Sequence, residues 1–156
     1  PSSAASDVYK RQVLMFDLAK RTEVVSAVAT KYDHAPFELG TENDCVHMID
    51  FGLKEYGIKT SLSRRGSYST EAQARRAMKR AGFDSLADAV DAEGFMRLES
   101  AATAWPGDII AFKGDNGDIA LAWMASEGRA FGFLNGYAQF VQPIQIEAAW
   151  RVEQCL

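Results

Sequence analysis

The chain has 156 residues, 47% of them hydrophobic and 24% charged, with a formal net charge of −4 and two cysteines. A chain of this length can bury one substantial core without staples, and the composition excludes global disorder. No apolar run approaches the roughly 18 residues of a membrane span, and no signal-peptide pattern is present. The cysteines, Cys45 and Cys155, lie 110 positions apart, which argues against a disulfide framework and for a reducing compartment.

Residues 1–12, PSSAASDVYKRQ, lack an initiator Met and are dominated by Pro, Ser and Ala. They read as a non-native or disordered lead, which leaves residues 13–156 as a single domain. Thr22 is placed to cap a first helix whose apolar positions Val24, Val25 and Val28 have helical spacing, running to about Lys31. Pro36 stops it and opens PFELG, an extended entry to a turn at Gly40. Thr41 or Asn43 then caps a second helix, with Asp44 in its first turn, where a carboxylate suits the helix dipole. Cys45, Ile49, Leu53 and Tyr56 form its apolar face, and Gly57 is its stop. SRRGSYST is a loop. Ser69 or Thr70 caps a third helix, EAQARRAMKRAG, closed by Gly82, and a short fourth helix runs from Ser85 to about Glu93.

Beyond Gly94 the pattern changes. GDIIAF, GDIALAWMA, RAFGFL and AQFVQPI are short, apolar and separated by Gly or Asn turns, so they read as strands. The closing EAAWRV fits either a short helical turn or a strand. Helices followed by antiparallel strands make an α+β fold, with N-terminal helices packed on a small antiparallel sheet. Trp150 is placed to anchor the last segment on that sheet.

Charge is uneven. Residues 59–80 hold seven bases (Lys59, Arg64, Arg65, Arg75, Arg76, Lys79 and Arg80) against Glu71 alone, so this stretch is +6 and the remainder is −10. A basic helix can meet an anionic partner or simply be a solvated face. No nucleic-acid motif accompanies it, so no nucleic-acid partner is expected. There is no phosphate-cradling glycine loop and no serine nucleophile elbow. The histidines and cysteines lack zinc spacing, so neither metal nor cofactor is expected. KGDNGDIA resembles part of a calcium loop, but it lacks the closing glutamate and reads as a hairpin turn.

The chemistry rests on TENDCVHMIDF. A cysteine at a helix start gains thiolate stability from the dipole and the free amides, and so is a candidate nucleophile. Taken alone, a helix-borne cysteine is more often a small apolar core residue. Attack on a carbonyl also needs a base, normally histidine. His47 lies two residues on, about 200° around the helix, and would point away. His34 precedes the PFELG turn and could reach only by a favourable loop path.

The order PFELG, Asp44-Cys45 at a helix start, then Pro106-Gly107-Asp108 leading into a strand resembles the NlpC-type cysteine peptidases of the papain-like superfamily. The wider run also resembles a phage-associated family of unknown function: RT at 21–22, PFELG at 36–40, DC at 44–45, RGSYST at 65–70, GD at 107–108 and AWRV at 149–152. The resemblance implies an NlpC-like fold and a protein of phage or prophage tail regions. It makes other phage tail proteins the expected partners, with peptidoglycan second. The location it implies is the host cytoplasm during assembly, or the virion tail. It makes Cys45 the candidate nucleophile and puts Asp118 where the family carries its catalytic histidine. An aspartate, with an ordinary pKa near 3.9, does not do the work of an imidazole. RAFGFL supplies no third polar group, and Leu39 stands for the family's usual Trp. Two readings follow: a tail-assembly or tail-tip protein without a complete catalytic triad, or a cysteine peptidase or amidase acting on peptidoglycan stem peptides through Cys45. Asp44, Tyr68, Trp105, Arg65, Arg75 and Arg76 are the candidate binding residues, the three arginines within the basic stretch that could meet an anionic partner. Tyr68 and Trp105 each have a plainer role as packing aromatics, and Asp44 as a helix-start acid.

Overall fold

A computed structural model describes residues 13–60, 62–64, 68–126, 128–143 and 145–155, with backbone only at 13, 14, 64 and 155. The lead at 1–12 and the candidate Arg65 lie outside the described residues. In chain order the elements are β1 (Val13–Met15), α1 (Leu18–Tyr32), α2 (Cys45–Glu55), α3 (Glu71–Arg80), α4 (Leu86–Ala92), β2 (Met96–Arg97), β3 (Ile109–Lys113), β4 (Ile119–Ser126), β5 (Arg129–Leu134), β6 (Tyr137–Val141), β7 (Ile146–Arg151) and β8 (Glu153–Cys155). Single 3₁₀ turns lie at Leu62–Arg64 and Ala101–Thr103.

The α+β expectation holds. Six antiparallel strands form one sheet in the order β2-β7-β3-β4-β5-β6, and β1 pairs with β8 beside it. EAAWRV resolves as a strand, and an interior one: β7 sits between β2 and β3. Trp150 is fully buried there and donates its indole N–H to Asp91 Oδ1 at 2.8 Å. KGDNGDIA is a hairpin turn, with Gly117 at φ +80° and Gly114 N–H bonded to the Asp118 carbonyl.

Strand alternation divides the core in two. One cluster on the helix side unites Val24 and Val28 of α1, Ile49 and Leu53 of α2, and Ile109, Leu121, Trp123 and Phe131 of the sheet. The opposite face gathers Ile110, Phe112, Ala122, Met124, Ala130 and Val141. Helix α2 lies so close to the sheet that a Cβ on Gly52 would fall 2.3 Å from the Trp123 ring.

Two helix starts differ from the sequence expectation. Asp17, not Thr22, caps α1, its carboxylate accepting the Lys20 N–H, and the helix begins a turn earlier. Thr22 sits inside, its hydroxyl bonded back to the Leu18 and Ala19 carbonyls, as interior threonines often do. Asp44, not Thr41 or Asn43, caps α2 and places Cys45 at the first helical position. Thr70 caps α3 as expected, and Gly82 follows that helix at φ +88°.

The Pro106-Gly107-Asp108 turn is pinned by a buried ionic cluster. Asp108 accepts from Arg21 at 2.7 Å, from Arg151 at 2.9 Å, and from the amides of Trp105 and Val152. Tyr56, the C-cap of α2, donates its hydroxyl to the Gly107 carbonyl at 2.8 Å. This fixes the turn, and through it β3, against both α1 and α2.

Candidate functional site

Asp44 builds the site from below. It is 1% exposed. Its Oδ1 accepts the His47 N–H at 2.9 Å, and its Oδ2 accepts the Gly40 N–H at 3.0 Å. One carboxylate thus caps α2 and ties it to the PFELG turn. A caps-only role would not require the second bond; the link to Gly40 sets where the helix start sits in the fold. Gly40 has φ +82°, and a Cβ there would fall 1.7 Å from the Tyr68 carbonyl oxygen. The absence of a side chain lets the Tyr68 segment lie directly against PFELG.

Cys45 is half-buried and packs against the helix-side core. Three amides bear on its sulfur. Two are its own and that of Val46, free at the helix start. The third belongs to Leu121, and the sheet explains it. Alternate residues of an antiparallel strand bond opposite neighbours. Met124 N–H donates toward β3, to the Asp108 carbonyl, so Leu121 faces β5. The β4–β5 ladder ends at the Ala122–Gly132 pair. Just past that end, the Leu121 amide meets the sulfur of Cys45. These donors favour a thiolate, but burial outweighs them and the Asp44 carboxylate adds to it, so the thiol is pushed up to about 11. Only about one thiol in ten thousand is then ionised at pH 7.

Cys45 opens into a cleft of about 630 Å³ between α3, α4 and the sheet, with Val46, Leu62, Met78, Leu86 and Ile119 in its wall. That is the size of a small-ligand site. Tyr68 lines it too, half-buried, and its hydroxyl is held well above the usual tyrosine range by burial and by the neighbouring Asp44, Cys45 and Asp50. Asp50, on the same helix, accepts the Ser63 N–H through Oδ2, while its buried Oδ1 has no hydrogen-bond partner among the described residues.

Of the sequence candidates, Asp44, Cys45, Tyr68, Arg75 and Asp118 line this cleft. Neither histidine joins them. His47 turns back to Asp44, Nδ1 to Oδ1 at 2.7 Å. His34 has φ +56°, contacts Asp33 and stacks on Tyr137 with ring centroids 5.7 Å apart. Asp118 stands in the turn before β4, and its carboxylate meets Arg75 at 2.6 Å. The β4 side chains that share Cys45's core are Ile119, Leu121 and Trp123. Arg76 is exposed on α3. Trp105 lies apart from the cleft, with the guanidiniums of Arg151 and Arg21 at 3.3 and 5.3 Å from its ring centroid.

Sequence reasoning missed Ile119 and the Leu121 amide. The signal was there: in IALAW the large residues Ile119, Leu121 and Trp123 alternate with alanines, which names the face turned to the helices. Among the described residues, no cluster of three or more His, Cys, Asp or Glu could hold a metal ion, and no helix is long and apolar enough to cross a membrane.

Helices packed on a six-stranded antiparallel sheet make an α+β domain whose fold is NlpC-like. Two solved structures bear this out. NlpC1 from Trichomonas vaginalis superposes with a TM-score of 0.59 at 19% identity, covering 90% of this chain and 47% of that one. NlpC2 from the same organism gives 0.57 at 16% identity, covering 89% and 50%. The chain spans about half the length of either, and at this identity the likeness is one of fold. No curated protein sequence matches. The chain belongs to the family described as "Domain of unknown function (DUF6950)", whose model matches residues 18–152.

Proposed function

We propose that this chain is a binding domain on an NlpC-like scaffold that holds a ligand in the Cys45 cleft without cleaving it, and that it serves in phage or prophage tail assembly or at the tail tip. The observation that carries the non-hydrolytic half is the state of Cys45. Its thiol is pushed up to about 11 and shares its core with Ile119 and Leu121, while His34 and His47 are engaged elsewhere. A nucleophilic cysteine needs the reverse, a lowered pKa and an adjacent base. The tail setting is supported by the order of RT, PFELG, DC, RGSYST, GD and AWRV along the sequence.

The competing reading, a peptidase or amidase acting on peptidoglycan stem peptides, draws on the same fold and on the three amides around the sulfur. The two separate in one comparison. Purified protein and its Cys45→Ala variant are incubated with stem peptides, and in parallel the variant is tested for support of infectious particles. No cleavage by either protein, with intact particle yield from the variant, is expected. Cleavage that Cys45→Ala abolishes would establish the hydrolase instead.

A further inference from the structure

We propose that α3 is a lid on the Cys45 cleft, held shut by an ionic latch between its first turns and the β3–β4 hairpin, and that a ligand enters when the latch parts. The proposal rests on the reading of the Cys45 cleft as the working site.

Helix α3 is bound to the molecule unlike the other helices. Only Ala77 of its ten residues is buried, whereas α2 buries six of eleven. Ala74, Ala77 and Met78 line the cleft at helical spacing, so the helix lays one narrow apolar stripe over it. The opposite side carries Arg76 and Arg80, both exposed. A helix that buries so little apolar surface gains little from packing.

What joins α3 to the hairpin is polar. Arg75 Nη2 donates to Asp118 Oδ2 at 2.6 Å, and Asn116 Nδ2 donates to Glu71 Oε1 at 2.9 Å. Within each side the groups are also cross-braced, Asn116 to Asp118 at 3.5 Å and Arg75 to Glu71 at 4.0 Å. The side chains of Glu71, Arg75 and Asp118 are each more than half exposed. Exposed pairs of this kind are weak and screened by salt, so the latch is strong enough to bias the helix and weak enough to open. Beyond the helix, Gly82 at φ +88° turns the chain, with nothing within 4 Å of where its Cβ would be. It is a bend that a swing of α3 could use. Phe83 and Leu86 then pack against the core, so the movement would end there.

Closure bears on Cys45 because lid and latch both line the cleft into which the thiol opens. The thiol is shifted by burial, by Asp44 and by the amides of Leu121, Cys45 and Val46, not by Arg75 or Asp118. A change at the latch therefore reaches the sulfur through its burial and access, not through the charges of Arg75 and Asp118.

The test is the rate at which iodoacetamide, a neutral reagent, modifies Cys45 at a fixed pH of about 8.5. It is followed by peptide mass mapping so that Cys155 is counted separately. Asp118→Asn and Arg75→Gln should each raise the Cys45 rate about two- to fivefold, and the double variant should raise it no further than either alone. Raising the salt to 1 M should accelerate the wild type similarly and leave the variants unchanged. Urea melts run beside each protein separate lid opening from global unfolding. Rates insensitive to salt and to both substitutions, with Cys45 reacting freely once the chain is unfolded in urea, would overturn the lid. Stem-peptide cleavage by the wild type would overturn the non-hydrolytic reading but leave the lid standing.

Discussion

Two aspartates, ten residues apart, each precede a strand and each meet an arginine. Asp108 is fully buried and accepts from two guanidiniums and two amides. Asp118 is about half exposed, and among the described residues Arg75 is the one guanidinium it meets. The chemistry is the same and the surroundings are not. In the interior a lost partner leaves a stranded charge, while at the surface water takes its place. The end of the molecule at Pro106-Gly107-Asp108 is therefore built to be fixed. The end at the cleft is built from groups that can part.

Breaking the buried cluster should have the largest effect. Asp108→Ala strands Arg21 and Arg151, which are 1% and 7% exposed. Removing one partner of a buried pair costs about 3–5 kcal/mol, a large part of a domain's stability. A urea melt should show that loss or an unfolded protein. A midpoint within experimental error of wild type would mean that the cluster does not anchor β3.

Next in size is Gly40, where the fixed scaffold meets the cleft. Gly40→Ala must leave φ +82° or push back the Tyr68 carbonyl, which its Cβ would approach to 1.7 Å. Strain and overpacking of this kind cost of order 1–3 kcal/mol. Unlike Asp108→Ala, this change should also displace Tyr68 and alter Cys45 alkylation in protein that remains folded. Equal loss of stability with unaltered Cys45 chemistry would detach PFELG from the site.

How far the sequence reveals this division depends on the range of the signal. The four helices and the strands from β3 to β6 follow from local periodicity and turn residues, and the α+β class follows from them. EAAWRV is locally ambiguous, since Ala148 and Ala149 suit a helix as well as a strand; pairing with β3 on one side and β2 on the other decides it. Strands β1, β2 and β8, two or three residues each, are too short to carry a period. At the α2 start, Thr41, Asn43 and Asp44 all have capping side chains, and what selects Asp44 is its second bond to Gly40, a contact no local rule contains. Cys45 and Tyr68 are legible as site residues because their motifs have an order. The face that β4 turns to the helices is legible too, in the alternation of Ile119, Leu121 and Trp123 with alanines; which residue of α2 that face meets is set by the packed sheet.

The Cys45 thiol sharpens the comparison on the cleft side. The native thiol holds its proton until about 11, above the ordinary value of 9.0. The unfolded chain therefore loses this proton first as pH rises. The thiol's contribution to stability is complete below pH 9 and fades between about pH 9 and 11. Replacing Cys45 by Ala should remove that portion of the alkaline destabilisation. Alkylation should follow the same curve, rising toward pH 11 rather than levelling below pH 7. A plateau below neutrality would mean that the three amides outweigh burial, and that Cys45 is poised as a nucleophile.

The smallest effect is the most discriminating. Asp118→Asn keeps the shape of the side chain and removes its charge, as Asp108→Asn does in the buried cluster. In the interior the lost charge leaves two arginines unneutralised, so Asp108→Asn should still lower the urea midpoint clearly. At the hairpin it removes one exposed pair, and the midpoint should barely move. Asp118 affects which conformation α3 occupies, and that appears in Cys45 access rather than in global unfolding. If Asp118→Asn destabilised the fold as much as Asp108→Asn, the hairpin pair would be a structural anchor like the buried one. The cleft would then have no moving wall, and its occupant would have to fit the closed shape.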